Sequence, residues 1–476
     1  MSTPRLLLLL LCLPLAWPAT AVDLPSIGPG SLLTPAQERV IGEEVMQRLR
    51  GQLNLLDDPT VGEWLEQLGQ RLARHDRHGE GMRFDFFLVD DTGINAFALP
   101  GGFIGVHGGL ILAARDEDEV AAVLAHEIAH ITQRHLARRW ESHSRMNVAG
   151  VAAILAAIVI AQQNPQVGEA ALATATAGLA QMQLNHSRSA EQEADRIGMR
   201  TLALAGYDPE AMATFFERLY QTSRLHGPQA LEFLQTHPVT DSRIADARSR
   251  LGSEARPPRR AGIDFRIARA RLQVLMSRDT NRAITTLRES LTGGHHASEL
   301  EVRYGLAFAL LRAGQPDAAH DALAPLLARH PEQPALLSLQ GEIASAAGRH
   351  HDAMHAFETA WRIAPYRGAT LQPWVEALLA QGDPATARQR LRETLRQQPE
   401  QIPLHRLLAR VEFAGGNPAA AALAHSDALR LQGDLASAIA HLEAARRDFA
   451  MDYFHASRID ARLEELRRNQ RERAVP

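Results

Sequence analysis

The segment DEDEVAAVLAHEIAHITQRHLARR, residues 116–139, carries three histidines within ten positions and a glutamate directly after the first of them. Asp116 and Glu119 form a capping pattern and put negative charge at the positive end of a helix, so the stretch is predicted to be one helix. At about 100° per residue, His126 and His130 lie about 40° apart and can point at one ion. His135 falls about 180° from His126 and cannot join them, so it reads as a solvated or core histidine. HEIAH fits the pattern HExxH, in which two neutral imidazoles bind Zn²⁺ and the glutamate, here Glu127, takes a proton from a water that the metal polarises.

Such a site needs a third ligand. Gln133 and Leu136 exclude the extended pattern HExxHxxGxxH. Downstream, SRSAEQEADRIGMR places Glu191 and Asp195 one turn apart on one face of a helix that Gly206 should close. Glu191 can ligate, and Asp195 can accept an N–H bond from a ligating imidazole and so fix its tautomer. Glu193 is rotated about 200° from Glu191 and is the weaker candidate. Taken alone, EQEAD also reads as a charged, solvent-facing turn; beside HExxH the ligand reading is the stronger. A purely structural metal site would favour four protein ligands and would not need Glu127.

These residues require a scaffold. Before the histidines, Thr34, Pro35 and Gln37 form a helix start with a capping box. MRFDFFLVDD, INAFALPGG and FIGVHGGL are short aromatic or β-branched runs broken by glycine and proline, and read as strands. The expected fold is an α+β metallopeptidase domain, mostly helical with a small sheet, followed by an all-α repeat solenoid. Between His130 and Glu191, Val148 to Ala161 is unbroken apolar sequence. As a helix it reaches only about 21 Å against a hydrocarbon core of about 30 Å, so it is either a buried hairpin over the site or a flap facing a partner or membrane surface, with residues 148–184 the expected contact.

Paired prolines, glycines and charges at 252–262 mark a linker between a domain at 22–251 and another at 263–476. Beyond it, Gly314, Gly348, Gly382 and Gly416 recur every 34 residues, in phase with Ala319, Ala353, Ala387 and Ala421 and with Pro331, Pro365 and Pro399. That period is the one of tetratricopeptide helix pairs: glycine ends the first helix, alanine admits close packing, proline stops the second. The region 264–300 reads as a degenerate first unit. Gly433 follows Gly416 by only 17 residues, so irregular packing is expected there.

The chain begins with Arg5, an apolar run from Leu6 to Trp17, and small residues Ala19 and Ala21, which together read as a signal peptide over 1–21. The sole cysteine, Cys12, lies inside it. Export without disulfides leaves stability to ordinary cores, which a mature chain of about 455 residues can build, and a bacterial periplasm is the natural compartment. With 51 basic against 55 acidic residues, there is no broad electrostatic basis for binding nucleic acid.

NAFALPGGFIGVHGGL, HEIAH and EQEAD, in that order, resemble the CaaX-prenyl-protease-like minigluzincins, over residues 30 to about 250. Exported members with a tetratricopeptide tail are similar over nearly the whole mature chain. The resemblance implies one Zn²⁺ per chain held by His126, His130 and Glu191, Glu127 as base, and a strand at Asn95 to Leu99 that binds substrate backbone by β-augmentation. LQTHPVTDSRIADAR resembles a further family element and contributes His237 and Arg243. His237 then either fills the fourth metal position and holds the enzyme latent, or hydrogen-bonds the tetrahedral intermediate, with Arg243 supporting either role by binding carboxylates; a plain helix-cap histidine is the alternative. The implied activity is a periplasmic endopeptidase for misfolded or stalled outer-membrane proteins, whose repeats dock substrate or the outer-membrane assembly machinery. A chaperone or adaptor with a latent metal site is the competing reading.

Overall fold

Helix α1 (Pro35–Leu49) starts at the expected box: Gln37 N–H donates to Thr34 Oγ1 at 3.2 Å and Thr34 N–H to Gln37 Oε1 at 2.8 Å. α2 (Pro59–His75) starts at Asp58, whose carboxylate accepts from the amides of Thr60 and Val61. Three strands follow, β1 (Asp85–Val89), β2 (Ala96–Leu99) and β3 (Phe103–His107), ordered β1-β3-β2 with β1 parallel and β2 antiparallel to β3. Among the described residues, the sheet continues beyond β1 only as a bridge from Leu55 to Val89, and β2 forms the opposite edge. The computed structural model describes residues 33–141, 152–153, 155–157, 159–160, 187–226, 232–251, 262–294, 298–448 and 453–474.

After α3 (Gly108–Ala113), α4 (Glu117–Thr132) carries HEIAH through the centre of the domain, capped by Asp116, which accepts from Glu119 N–H. Its apolar residues Val120, Leu124 and Ile128 share one core with Leu65, Leu68 and Leu72 of α2, Ile104 and Val106 of β3, and Phe215 and Phe216 of α7 (Glu210–His226). α6 (Arg188–Ala205) crosses α4 at Gly198, where a Cβ would meet Ala125 C and His126 N at 3.2 Å. A small residue is therefore what lets α6 approach α4 closely, and Gly206, at φ +80°, ends α6 as expected. Two short helices, α8 (Glu232–Thr236) and α9 (Asp241–Ser249), bring the chain back over the site.

The single helix expected over 116–139 is corrected. α4 stops at Thr132, Arg134 adopts φ +53°, and α5 (His135–Glu141) starts anew. A non-glycine residue at positive φ is strained, at roughly 1 kcal/mol, and Arg134 is held there by an ion pair to Glu38 (Nε to Oε1, 2.7 Å) and a bond to the Leu33 carbonyl. The signal peptide, residues 252–261 of the linker and most of the apolar insert lie outside the described residues. Within the insert, Ala152, Leu155, Ala156 and Val159 are buried against Ile41, Val45 and Leu49 of α1 and Phe97 and Phe103. Among the described residues no helix is long and apolar enough to cross a membrane.

C-terminal to the linker the helices are Ile263–Leu275, Thr280–Gly293, Glu299–Arg312, Pro316–Arg329, Pro334–Ala346, His350–Ile363, Gly368–Ala380, Pro384–Gln397, Ile402–Ala414, Pro418–Leu431, Leu435–Asp448 and Tyr453–Ala474. Gly314, Gly348, Gly382 and Gly416 take φ values from +71° to +75°. The following amides close the turn, as in Gln315 N–H to Leu310 O at 2.9 Å and Arg349 N–H to Ala344 O at 2.9 Å. Gly433 (φ +83°) makes the same turn, so the early glycine repeats the regular motif one helix sooner. The helix Ile263–Leu275 faces two ways: Phe265, Ala268 and Leu272 enter the peptidase core, while Ile267, Ala270 and Val274 enter the first solenoid core.

Candidate metal centre

α4 supplies His126, Glu127 and His130, α6 supplies Glu191 and Asp195, and the α8–α9 segment supplies His237 and Arg243; all seven are buried. His126 Nε2 lies 3.0 Å from His130 Nε2, 3.2 Å from His237 Nδ1 and 3.6 Å from Glu191 Oε2. Glu191 Oε1 lies 3.3 Å from His130 Nε2 and 3.1 Å from His237 Nδ1. Donors bound to a tetrahedral ion at about 2.0–2.1 Å stand about 3.3 Å apart, so the separations match that geometry. Together with the nitrogen and carboxylate donor types, this makes His126, His130, Glu191 and His237 a set that fits one metal ion.

The electrostatics follow from the packing. Burial opposes charge on Glu191, but the facing imidazoles hold its carboxyl well below the usual range. Burial also opposes protonation of His126, yet its bonds to Asp195 and Glu191 raise its pKa to about 9. Glu127 differs: burial dominates and raises its carboxyl pKa, moving it toward the range useful to a base at neutral pH. Glu127 Oε1 is 3.4 Å from His237 Nε2 and takes no hydrogen bond from the described residues, while the backbone of Ala98 on β2 bonds the carboxylate.

Behind the donors, His126 Nδ1 is 3.0 Å from Asp195 Oδ1. Arg243 grips both Asp195 oxygens at 2.7 Å, through Nε and Nη2, and reaches Glu191 Oε2 and the Pro238 carbonyl at 2.8 Å through Nη1. His237 stacks on Phe233 (4.9 Å between centroids), and Phe233 N–H donates to the Ile94 carbonyl just before β2 at 3.2 Å. The sequence-derived site residues are thus gathered at one point. His135 stays outside the donor set but is buried against it: its Nδ1 lies 2.8 Å from His130 Nδ1 and its Nε2 3.0 Å from Glu193 Oε2. Periodicity could not find that contact, because the turn at Arg134 breaks the wheel. Phe216, edge-on to His126 and under Arg243, was also missed, since an aromatic at helical spacing reads as core.

Comparison with known proteins gives Peptidase family M48 over residues 59–251 and tetratricopeptide repeats over 274–343 and 344–411. The chain is 33% identical over 459 residues to the beta-barrel assembly-enhancing protease of Escherichia coli K12, covering 96% of this chain and 93% of that one. It is 33% identical over 460 residues to the putative beta-barrel assembly-enhancing protease of Vibrio cholerae, covering 96% and 94%. The mitochondrial metalloendopeptidase OMA1 of Arabidopsis thaliana is 34% identical over 161 residues, 34% of this chain and 30% of that one.

Proposed function

This chain belongs to peptidase family M48, in its tetratricopeptide-bearing group, and on that premise we propose that it is a periplasmic zinc endopeptidase for misassembled outer-membrane proteins. The observation that carries the reading is the set of buried donors at tetrahedral spacing with the buried Glu127 carboxylate beside it, 3.4 Å from His237 Nε2. Zn²⁺ suits two imidazoles and a carboxylate, and when bound it supplies a Lewis acid that polarises a carbonyl and acidifies water.

His126, His130 and Glu191 would hold the ion, and Asp195, 3.0 Å from His126 Nδ1, orients that ring. Glu127 takes the proton of the attacking water and passes it to the leaving amine. β2, an edge strand whose Ala98 touches the base, aligns an extended substrate by backbone pairing. His237 closes the fourth corner of the donor set, so the resting enzyme is slow and displacement of residues 232–240 is the regulated step. The solenoid docks substrate or the assembly machinery, the class of partner that the relatives' names point to.

Glu127→Gln tests the reading. It should retain one zinc per chain and lose about 10²- to 10⁴-fold in proteolysis of an unfolded substrate such as casein. Full activity in the variant would remove the mechanism, and loss of zinc would make Glu127 a ligand instead of the base.

A further inference from the structure

The geometry points to His135 as a positioning residue for His130, the counterpart of Asp195 behind His126; this rests on His130 being a metal ligand as proposed above. His130 turns Nε2 toward the donor cluster, 3.0 Å from His126 Nε2 and 3.3 Å from Glu191 Oε1, which leaves Nδ1 on the far side. A neutral imidazole that ligates through Nε2 carries its proton on Nδ1. That proton has an acceptor in His135 Nδ1 at 2.8 Å. His135 must then carry its own proton on Nε2, where Glu193 Oε2 waits at 3.0 Å. The direction of each bond thus determines the next, and both ring nitrogens of His135 are used.

Two further features single this arm out from chance packing. His135 is brought under His130 by the turn at Arg134, a non-glycine residue at φ +53° that is held by Glu38 from another helix. Strain maintained by a distant ion pair is characteristic of a positioned functional group. The arm also ends on α6, where Glu191, Glu193 and Asp195 stand on alternate positions: one faces the metal position, one braces His126 directly, and one braces His130 through His135. Arg138 fixes Glu193 in turn at 2.9 Å.

Zinc affinity by chelator competition, and the visible absorption of the Co²⁺-substituted protein, read this contact separately from catalysis. His135→Leu, which fills the space without accepting a bond, should weaken zinc binding about 10- to 100-fold and shift the Co²⁺ bands. His135→Gln should retain most of the affinity, since its amide can accept from His130 and donate to Glu193. Glu193→Ala, on the partly exposed end of the arm, should lose several-fold in affinity, and it remains readable if His135→Leu does not fold. Wild-type affinity and spectrum in His135→Leu overturn the proposal, as does wild-type affinity in Glu193→Ala. Equal loss in the Leu and Gln variants assigns His135 to packing and overturns it as well. Undiminished zinc in His130→Ala would instead defeat the ligand assignment itself.

Discussion

At the scale of the residue, Arg243 binds the site together more than its sequence context shows. One guanidinium engages both oxygens of Asp195, one of Glu191 and the Pro238 carbonyl, and lies 4.9 Å from the Phe216 ring centre. Arg243→Met leaves two buried carboxylates without their nearest fixed cation, which should cost about 3–5 kcal/mol of folding stability. The loss should be larger in chelator-treated protein than with zinc present, because the ion partly replaces the missing charge; urea denaturation with and without EDTA measures it. His237→Ala opens the fourth corner, so basal proteolysis should rise and zinc bind more weakly. A fall in kcat of order 10² to 10³ with unchanged metal content would instead mark His237 as a donor to the transition state. The proposed ligand pair and base are legible from HExxH because a helix fixes side-chain direction over four residues. Arg243's carboxylate partners are not, since they lie about 50 residues away on another helix.

At the scale of the element, the site depends on how closely α6 crosses α4. Gly198 sits at that crossing with the backbone of Ala125 and His126 next to its missing side chain, and Met212 Cε on the other side. Gly198→Val must push the helices apart or distort Met212, a cost of about 1–3 kcal/mol. Since Glu191 and Asp195 ride on the displaced helix, zinc affinity should fall together with the unfolding midpoint. A variant that loses stability with wild-type zinc affinity would show that α6 absorbs the change elsewhere. The caps at Thr34, Asp116 and Gly206 and the 34-residue glycine series could be read directly, because each is a local rule about one turn. The end of α4 could not: ITQRHLARR has no glycine or proline to signal a break, and the turn at Arg134 exists because Glu38 and the Leu33 carbonyl pull on it.

At the scale of the whole molecule, the peptidase domain and the solenoid share a helix. Phe265 and Leu272 complete the peptidase core, and Arg271 on the same helix is buried between Asp58 (Nε to Oδ2, 2.7 Å), Glu342 (3.4 Å) and Tyr304 (3.4 Å). Desolvated charges of this kind are costly to leave unpaired, so Arg271→Met should destabilise by about 3–5 kcal/mol. Arg367→Ala, which breaks the more exposed pair to Glu63, should cost about 0–1 kcal/mol. A chain ending at Leu251 should melt lower and hold zinc less well than one ending at Ser277, which keeps Ile263–Leu275. Equal melting temperatures and zinc content would show that the peptidase core closes without that helix. The peptidase core thus continues beyond the compositional boundary at 252–262.

The sequence by itself determined the helix that carries His126, Glu127 and His130, the acidic helix after it, the three strands, and the repeating turns of the tail. All of these follow from spacing, capping and backbone preference within a few residues. Only the tertiary structure decided that His135 stands behind His130, that Arg243 joins Asp195 to Glu191, and that Ile263–Leu275 serves two cores. Each of those depends on which surfaces meet when distant segments pack, and on the charge and space each finds there, which no local period encodes.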